Sequence, residues 1–512
     1  MRPIMGVTLL LRTALDPSML VRHLLACVIS ALSLLAAGEP PPSAPNVLLI
    51  IADDLGVDRV GAYGEHPSPG RTPQIDLLAA RGLLFRNAWS YDLCSPTRAA
   101  ILTGQHAQRT GLGTVLQTFT DSVDLGIDET TMADVLAAVG YRTAAIGKWH
   151  LSARFGPVNY LQHPLLVGFE HHVGPITNLS DAAQQNGYFD YAKNVDGTLV
   201  QSTTYATSEQ VDDALATIAG FGDDPWLVWL AFNAPHKPLH APPAHLHSFE
   251  LAGPPVQPGL AQQPAGADAR PAPTPPGVGG PASTGPATPP GGLFLAGPDG
   301  EPLPIDENAP TYMKAMTEAM DTEIGRLLNN MDPEVLANTY VVFLGDNGTQ
   351  KDAITPPFDP EKGKGTVYEG GVNVPLIIAG PTIPSGVETS ELTHVVDLFA
   401  TVAELAGADA STAVDSTSLA PVLSAPGAGF AGQVYGERFA PNGPGPYDHR
   451  DQIIRNRFYK LWRRWVDGVI SDEMFFHLPS DPLETKDLLD GTLDEKQQAV
   501  YDALAAILDD AG

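Results

Sequence analysis

The sequence predicts a large α/β domain, in which helices sandwich a mostly parallel sheet, followed by a smaller C-terminal antiparallel sheet plus helix. Short apolar runs alternate with amphipathic stretches, and polar clusters follow those runs directly. The runs Asn46–Ala52, Thr143–Ile146, Trp226–Phe232, Thr339–Leu344 and Val374–Ala379 read as strands buried on both faces. Pro73–Arg81, Thr131–Val139 and Tyr312–Leu328 carry helical periodicity between them. Such alternation is the mark of a parallel sheet covered by helices, whose ligands bind beyond the carboxyl ends of the strands. The pattern then changes. Asp451–Arg464 and Met474–Leu478 read as antiparallel strands and Leu493–Leu508 as a closing helix. The expected main domain is 45–432 and the small α+β domain 433–512.

The chain has 512 residues, 43% of them hydrophobic and 17% charged, enough to bury a substantial core. That excludes a disordered chain, a coiled coil and a small disulfide scaffold. Lys and Arg number 29 against 59 Asp and Glu, a net charge of −30. So acidic a surface repels phosphate backbones and anionic lipids, which argues against a nucleic-acid partner. An anionic substrate would need a local basic pocket.

Residues 1–38 read as a leader. Arg22-His23 precede the apolar segment Leu24–Ala37, and Gly38 with a proline run follows it. The segment is shorter than the ~20 residues needed to span a bilayer, so the order fits a secretory signal and an exported, periplasmic or extracellular protein. No later stretch is apolar enough to cross a membrane. Removal of the leader takes Cys27 with it and leaves Cys94 as a solitary thiol. Residues 251–303 are rich in Pro and Gly with Ala, Gln, Ser and Thr, the composition of a disordered insert.

Three polar clusters carry chemistry. Asp53-Asp54 directly follows the first strand, where adjacent carboxylates suit a hard cation. Asp346-Asn347-Gly348 follows another strand and offers a carboxylate and an amide oxygen, with Gly348 easing a tight turn. Either string alone is more often a solvated turn; two at strand ends of one sheet point to a shared metal. The third is Cys94-Ser-Pro96-Thr-Arg98, with Pro96 suited to a first helical turn. Cys94 then lies at a helix N-terminus, and Arg98 one turn on along the same face.

Cys94-x-Pro96-x-Arg98 followed by Thr103-Gly104 resembles the signature of the type I sulfatases, in the alkaline-phosphatase-like superfamily. The block from Gly140 to Lys148-Trp149-His150 is similar to the family's second signature. Pro45 to Gly56, Thr72 to Ala79, Asn233-Ala-Pro-His236-Lys-Pro238 and Gly363-Lys364-Gly-Thr-Val-Tyr-Glu369-Gly-Gly371 resemble it too. The likeness runs from about Pro45 to Leu508 with the insert as its main gap. Ser152, where the family often has Gly, is a mild departure.

The resemblance implies a sulfuric ester hydrolase whose Cys94 is converted to formylglycine by a separate formylglycine-generating enzyme. One divalent cation, calcium by first choice and magnesium as the alternative, would be held by Asp53, Asp54, Asp346, Asn347 and modified residue 94. Arg98 would hold the residue 94 oxygens, and Lys148 and Lys364 the sulfate. His150 would accept a proton and His236 donate one to the leaving oxygen. The Gly-Lys-Gly-Thr string selects Lys364 over Lys362, and His240, His245 and His247 are expected at the surface. The implied substrate is a sulfated small molecule or glycan. The same residues would also serve a phosphoryl-transfer enzyme, and an unmodified Cys94 would fit a non-catalytic glycan binder.

Overall fold

The computed structural model describes residues 44–179, 187–249, 295–296, 302–303, 308–427 and 429–510. The expected leader lies outside them, as does the 251–303 insert apart from a two-residue ladder, Leu295–Ala296 with Pro302–Leu303. No helix among the described residues is long and apolar enough to cross a membrane.

In chain order the strands of the main sheet are β1 (Asn46–Ala52), β2 (Leu83–Trp89), β3 (Arg142–Gly147), β4 (His171–Gly174), β5 (Tyr191–Val195), β6 (Thr198–Ser202) and β7 (Trp226–Ala231). The short ladder supplies β8 (Leu295–Ala296) and β9 (Pro302–Leu303), and the sheet resumes with β10 (Thr339–Gly345), β11 (Leu376–Ala379) and β12 (Val387–His394). Their spatial order is β12-β2-β11-β10-β1-β7-β3-β4-β5-β6. β10, β1, β7, β3 and β4 run parallel, so their carboxyl ends share one edge. β11 is antiparallel to both neighbours. β2, β4, β5, β6 and β12 carry no long apolar run and are not legible as strands in the sequence.

Every residue of β1 is buried, and alternate side chains enter different cores. Val47, Leu49 and Ile51 pack on one side with residues of the helices Cys94–Thr103, Met132–Ala137 and Asp397–Ala406. Leu48, Ile50 and Ala52 pack on the other with Pro73–Arg81, Ala206–Phe221 and Ala309–Asn330. A strand apolar on both faces has nowhere else to go than the centre of a three-layer stack.

A separate four-stranded antiparallel sheet follows, with β13 (Gln433–Ala440), β14 (His449–Asn456), β15 (Tyr459–Val466) and β16 (Val469–His477) in that order. The run Asp451–Arg464, expected as one strand, is two. Asn456 Oδ1 accepts from the Phe458 and Tyr459 amides at 2.9 and 2.8 Å and turns the chain between β14 and β15. An Asn side chain that substitutes for a backbone turn interrupts a strand without any glycine to advertise it. One face of this sheet packs on the helix Glu495–Asp510 through Ile454, Leu461 and Phe475. The other meets the main body through Val434, Ile453 and Trp462 around Trp89.

Beneath the end of β3, Trp149 sits against two buried histidines, His163 and His172. His163 Nδ1 accepts from the Trp149 indole at 3.3 Å while Nε2 faces Leu125 O at 2.7 Å, which is the neutral ring. Burial pushes both histidines down to about 4. A base depressed by folding adds stability that is complete above its unfolded value near 6.5 and is lost as pH falls toward 4. Each is worth up to about 3 kcal/mol. Thermal melting should therefore fall between pH 7 and pH 5, and His172→Gln should shrink that difference.

Candidate active site

β1 ends at Asp53 and Asp54. Successive residues of an extended strand point to opposite faces. Asp54 instead takes a left-handed conformation, φ 68°, and both carboxylates turn into one cluster. Such a conformation is costly for a residue with a Cβ and persists where the surroundings hold it. Here the Asp54 amide donates to Asp346 Oδ1 at 3.1 Å and the Asp53 amide to Ala234 O at 3.1 Å. The ends of β1, β10 and β7 are thereby laced together.

Asp346 and Asn347 leave β10 beside them. Gly348 has no positive φ; a Cβ there would collide with Gly370 O, so the glycine serves close approach of the 363–371 loop rather than a tight turn. The helix Cys94–Thr103 is buried along its whole length and aims its first residue at the carboxylates. Cys94 Sγ lies 3.3 Å from Asp53 Oδ1 and 3.7 Å from Lys364 Nζ. The unspecified positions of the Cys94 string have structural work. Ser95 Oγ accepts from the Leu116 amide at 3.0 Å and Thr97 Oγ1 from the Tyr91 amide at 3.0 Å.

Three cations balance the three carboxylates. Arg98 donates Nε and Nη2 to Asp346 Oδ2 at 3.1 and 2.8 Å and Nη1 to Lys148 O at 2.8 Å. Lys148 Nζ is 2.5 Å from Asp53 Oδ2, and Lys364 Nζ is 2.5 Å from Asp54 Oδ1. Burial pushes the Asp53 carboxyl up, but Lys148, His236 and Arg98 outweigh it and hold the acid below its usual range. Burial likewise raises Asp54, and Lys364 and His236 bring it below the usual range. Lys364 is pushed up despite its burial, because Asp54 lies against it. Cys94, the free cysteine of the described residues, goes the other way: burial, Asp346 and Asp53 push its thiol well up. A neutral thiol is a poor nucleophile.

His150 follows Lys148 by two residues, at φ 61°. Nε2 is 2.9 Å from Leu116 O, which assigns the ring proton there, and Nδ1 is buried without a partner. Burial first, then Lys148 and Arg98, hold this ring far below its usual value. His236, after β7, places Nε2 3.8 Å from Asp54 Oδ2 and Nδ1 2.6 Å from Lys237 O. Its side chain keeps 15% exposure and that of Lys364 16%, whereas Asp53, Arg98, Lys148 and Asp346 have none. The cluster thus opens on the His236 and Lys364 side.

Ligand atoms of Asp53, Asp54, Cys94 and Asp346 all lie within 4.8 Å of one another. Asp54 Oδ2 and Asn347 Oδ1 are buried there with no hydrogen-bond partner. Two orphaned oxygens amid three carboxylates fit a hard divalent cation. Every predicted site residue is brought into this neighbourhood. Of the other histidines, His245 is exposed, but His240 is buried, with its ring held by Pro238 O and Tyr205 OH. Lys362 turns away to cap Leu483 O and Glu484 O.

The model of the sulfatase family matches residues 45–408. This chain belongs to the sulfatase family. Steryl-sulfatase of Rattus norvegicus is 32% identical over 460 residues, covering 78% of this chain and 74% of the relative. Arylsulfatase A of Homo sapiens is 31% identical over 421 residues, covering 77% and 70%. Among solved structures, Ps i-CgsB in complex with k-i-k-neocarrahexaose is similar in fold with a TM-score of 0.67 at 24% identity, covering 91% of this chain and 92% of that one. BT4656 in complex with D-glucosamine-2-N,6-O-disulfate gives 0.64 at 21% identity, with 91% and 97% covered. The protein is therefore a sulfuric ester hydrolase, with a buried acidic cluster compatible with a metal ion.

The sulfatase's site is also tied to its second sheet by residues to which the sequence assigns no role. Glu369, the first residue of the short helix Glu369–Val372, pairs with Arg455 at 2.7 Å and Lys460 at 3.3 Å and accepts from the Trp89 indole at 3.1 Å. Glu484 joins them through Lys460 at 2.8 Å and the Glu369 amide at 2.5 Å. Removing one partner of a buried charge pair leaves the other uncompensated, at about 3–5 kcal/mol. Arg98→Met should lower stability on that scale, since it strands Asp346 and frees Lys148 O. Urea unfolding of the two proteins measures it.

Proposed function

We propose that this sulfatase is an exported enzyme that cleaves a sulfate monoester of an aryl or carbohydrate alcohol through formylglycine at position 94 and one divalent cation. The contact of Cys94 Sγ with both Asp53 and Lys364, inside a buried cluster of carboxylates that opens only beside His236 and Lys364, carries the reading. A neutral thiol there is a poor nucleophile for sulfur. Conversion by a formylglycine-generating enzyme would replace it with a hard oxygen centre that suits the orphaned oxygens of Asp54 and Asn347. The relatives' names, steryl-sulfatase, arylsulfatase A and N-acetylgalactosamine-6-sulfatase, support the substrate range. Export rests on the leader at 1–38, and the division into 45–432 and 433–512 assigns the site to the larger part.

Asp53, Asp54, Asp346, Asn347 and modified residue 94 would hold the cation, calcium by preference because the donors are all oxygen. It supplies charge for the sulfate oxygens and lowers the pKa of a neighbouring hydroxyl. The hydrated aldehyde at 94 would supply one hydroxyl to attack sulfur as the bond to the alcohol oxygen breaks, and a second whose deprotonation would expel sulfate and restore the aldehyde without water attacking sulfur. Lys148 and Lys364 fix the sulfate oxygens and stabilise charge as it moves to the leaving oxygen. Arg98 offsets Asp346 and orients residue 94. His236 would donate from Nε2 to the alcohol oxygen as the S–O bond breaks; because Nδ1 faces Lys237 O, this calls for the imidazolium, which burial disfavours and Asp54 and Asp53 favour. His150 accepts the final proton at Nδ1, which Leu116 O keeps as the free lone pair by holding Nε2–H.

Protein made with the modifying enzyme should turn over nitrophenyl sulfate, and mass analysis of its residue 94 peptide should show aldehyde. Cys94→Ala should fold and lose turnover at least ~10⁴-fold; near-wild-type rates in that variant would discard the mechanism. Exhaustive chelation should lower both melting temperature and activity, and calcium should restore both. Recovery with magnesium alone would assign the other cation.

A further inference from the structure

The second sheet reaches the site at a point no motif marks. Val434, Gly436 and Arg438 are alternate residues of β13 and share the face turned toward the main body. Val434 packs around Trp89, and a Cβ on Gly436 would lie 3.7 Å from that indole. Arg438 continues the row to the 363–371 loop. Its Nη1 donates to Gly365 O at 2.5 Å and to Asp92 Oδ2 at 3.1 Å. Gly365 is the neighbour of Lys364, and Asp92 stands two residues before Cys94. The Gly365 amide donates to Asp92 O at 3.0 Å, which closes a ring of contacts. One guanidinium therefore joins the loop that aims Lys364 to the turn that delivers Cys94.

The contact is built rather than incidental. Asp92 is 1% exposed, and its ion pair with Arg438 spans 346 positions of sequence. Gly365, at φ 79°, leaves its carbonyl free for an outside donor. Beyond the loop, Arg455 and Lys460 of the same sheet grip Glu369, so the segment 363–371 is held at both ends. β13 also supports the His150 side. The Phe439 amide donates to Gly113 O at 3.2 Å, and Asn442 Oδ1 accepts from the Gly113 and Thr114 amides at 3.0 Å each. That segment leads to Leu116, whose carbonyl sets the His150 tautomer.

We propose that Arg438 is a positioning residue of the sulfatase: through Gly365 and Asp92 it fixes Lys364 Nζ against residue 94, and the second sheet is thereby part of the catalytic apparatus. The inference rests on the proposed role of Lys364 in stabilising charge that develops on the ester. A misplacement of about 1 Å at such a group costs on the order of 10²-fold in rate. Because the charge develops in the transition state, the loss should fall on kcat rather than KM.

The experiment compares wild type, Arg438→Ala, Arg438→Lys, Lys364→Ala and the double variant Lys364→Ala with Arg438→Ala, all carrying modified residue 94. Arg463→Ala is the control. It removes an arginine from the same sheet, one paired with Glu473 and Asp509 away from the site. Arg438→Ala should lower kcat by roughly 10–100-fold with KM changed less than about threefold, and Arg438→Lys should recover part of it. Once Lys364 is absent, the same change should cost less than about twofold, the non-additivity of residues acting as a unit. Hydrogen exchange of the peptide spanning 363–368 should quicken in Arg438→Ala and remain unchanged in Arg463→Ala. A kcat within about twofold of wild type, or an equal loss in the Lys364→Ala background, would overturn the proposal. Should Arg438→Ala not fold, Arg438→Lys decides, since unchanged kcat with unchanged exchange at 363–368 overturns it too. A wild-type protein that turns over no sulfate ester defeats the functional reading instead, while exchange still reads the coupling.

Discussion

Three carboxylates, Asp53, Asp54 and Asp346, are buried side by side at the edge of a parallel sheet, and the surrounding architecture answers that constraint. Like charges this close repel strongly in a medium that screens them poorly. Arg98, Lys148 and Lys364 neutralise them pair by pair, each from a different segment of chain. The arrangement stays coherent only while every cation keeps its partner, and the oxygens left without donors define where a further positive charge belongs. A local basic pocket inside an acidic protein follows from the same balance. The net charge of −30 would repel an anionic ester, yet the cluster presents the ammonium of Lys364 and the ring of His236 at its open side.

The two sheets therefore divide the work. The parallel edge sets the strand ends that carry Asp53, Asp346, His236 and Lys148, because hydrogen-bonded neighbours in register cannot drift apart. Loops have no such ladder. The 363–368 loop must bring Lys364 to one place without regular structure of its own, and it borrows rigidity from the antiparallel sheet through Gly365 and through Glu369, which opens the short helix after it. A buried quartet of Arg455, Glu369, Lys460 and Glu484 is a poor way to gain stability, since desolvation offsets most of the Coulomb attraction. It is an effective way to specify one relative position of two bodies.

Much of the fold and nearly all of the candidate site were legible before any tertiary contact was known. The fully apolar runs of β1, β7 and β10 announce central strands, and the acidic residues that follow β1 and β10 point to a place suited to a cation. The elements that escaped are those whose sequence carries no period. β2, with Arg86 and Asn87 in the middle of Leu83–Trp89, lies near the edge of the sheet and tolerates polar residues there. The β14–β15 turn is made by the side chain of Asn456, which composition cannot distinguish from a strand residue. His240 looked like one of a group of surface histidines, but Tyr205 and Tyr188 close over it.

The residues by themselves supplied the carboxylates at strand ends and the solitary cysteine, and the resemblance to a family supplied the cations and histidines expected beside them. Those signals are local, because a strand end and the side chains beyond it are neighbours in the chain. Tertiary structure alone decided which cation meets which carboxylate, which lone pair of His150 stays open, and that β13 braces the loop beside Lys364. Such pairings join segments from 34 to 346 positions apart, and no periodicity or spacing encodes them. They exist only once apolar strands have been buried and the polar groups between them must find partners out of water.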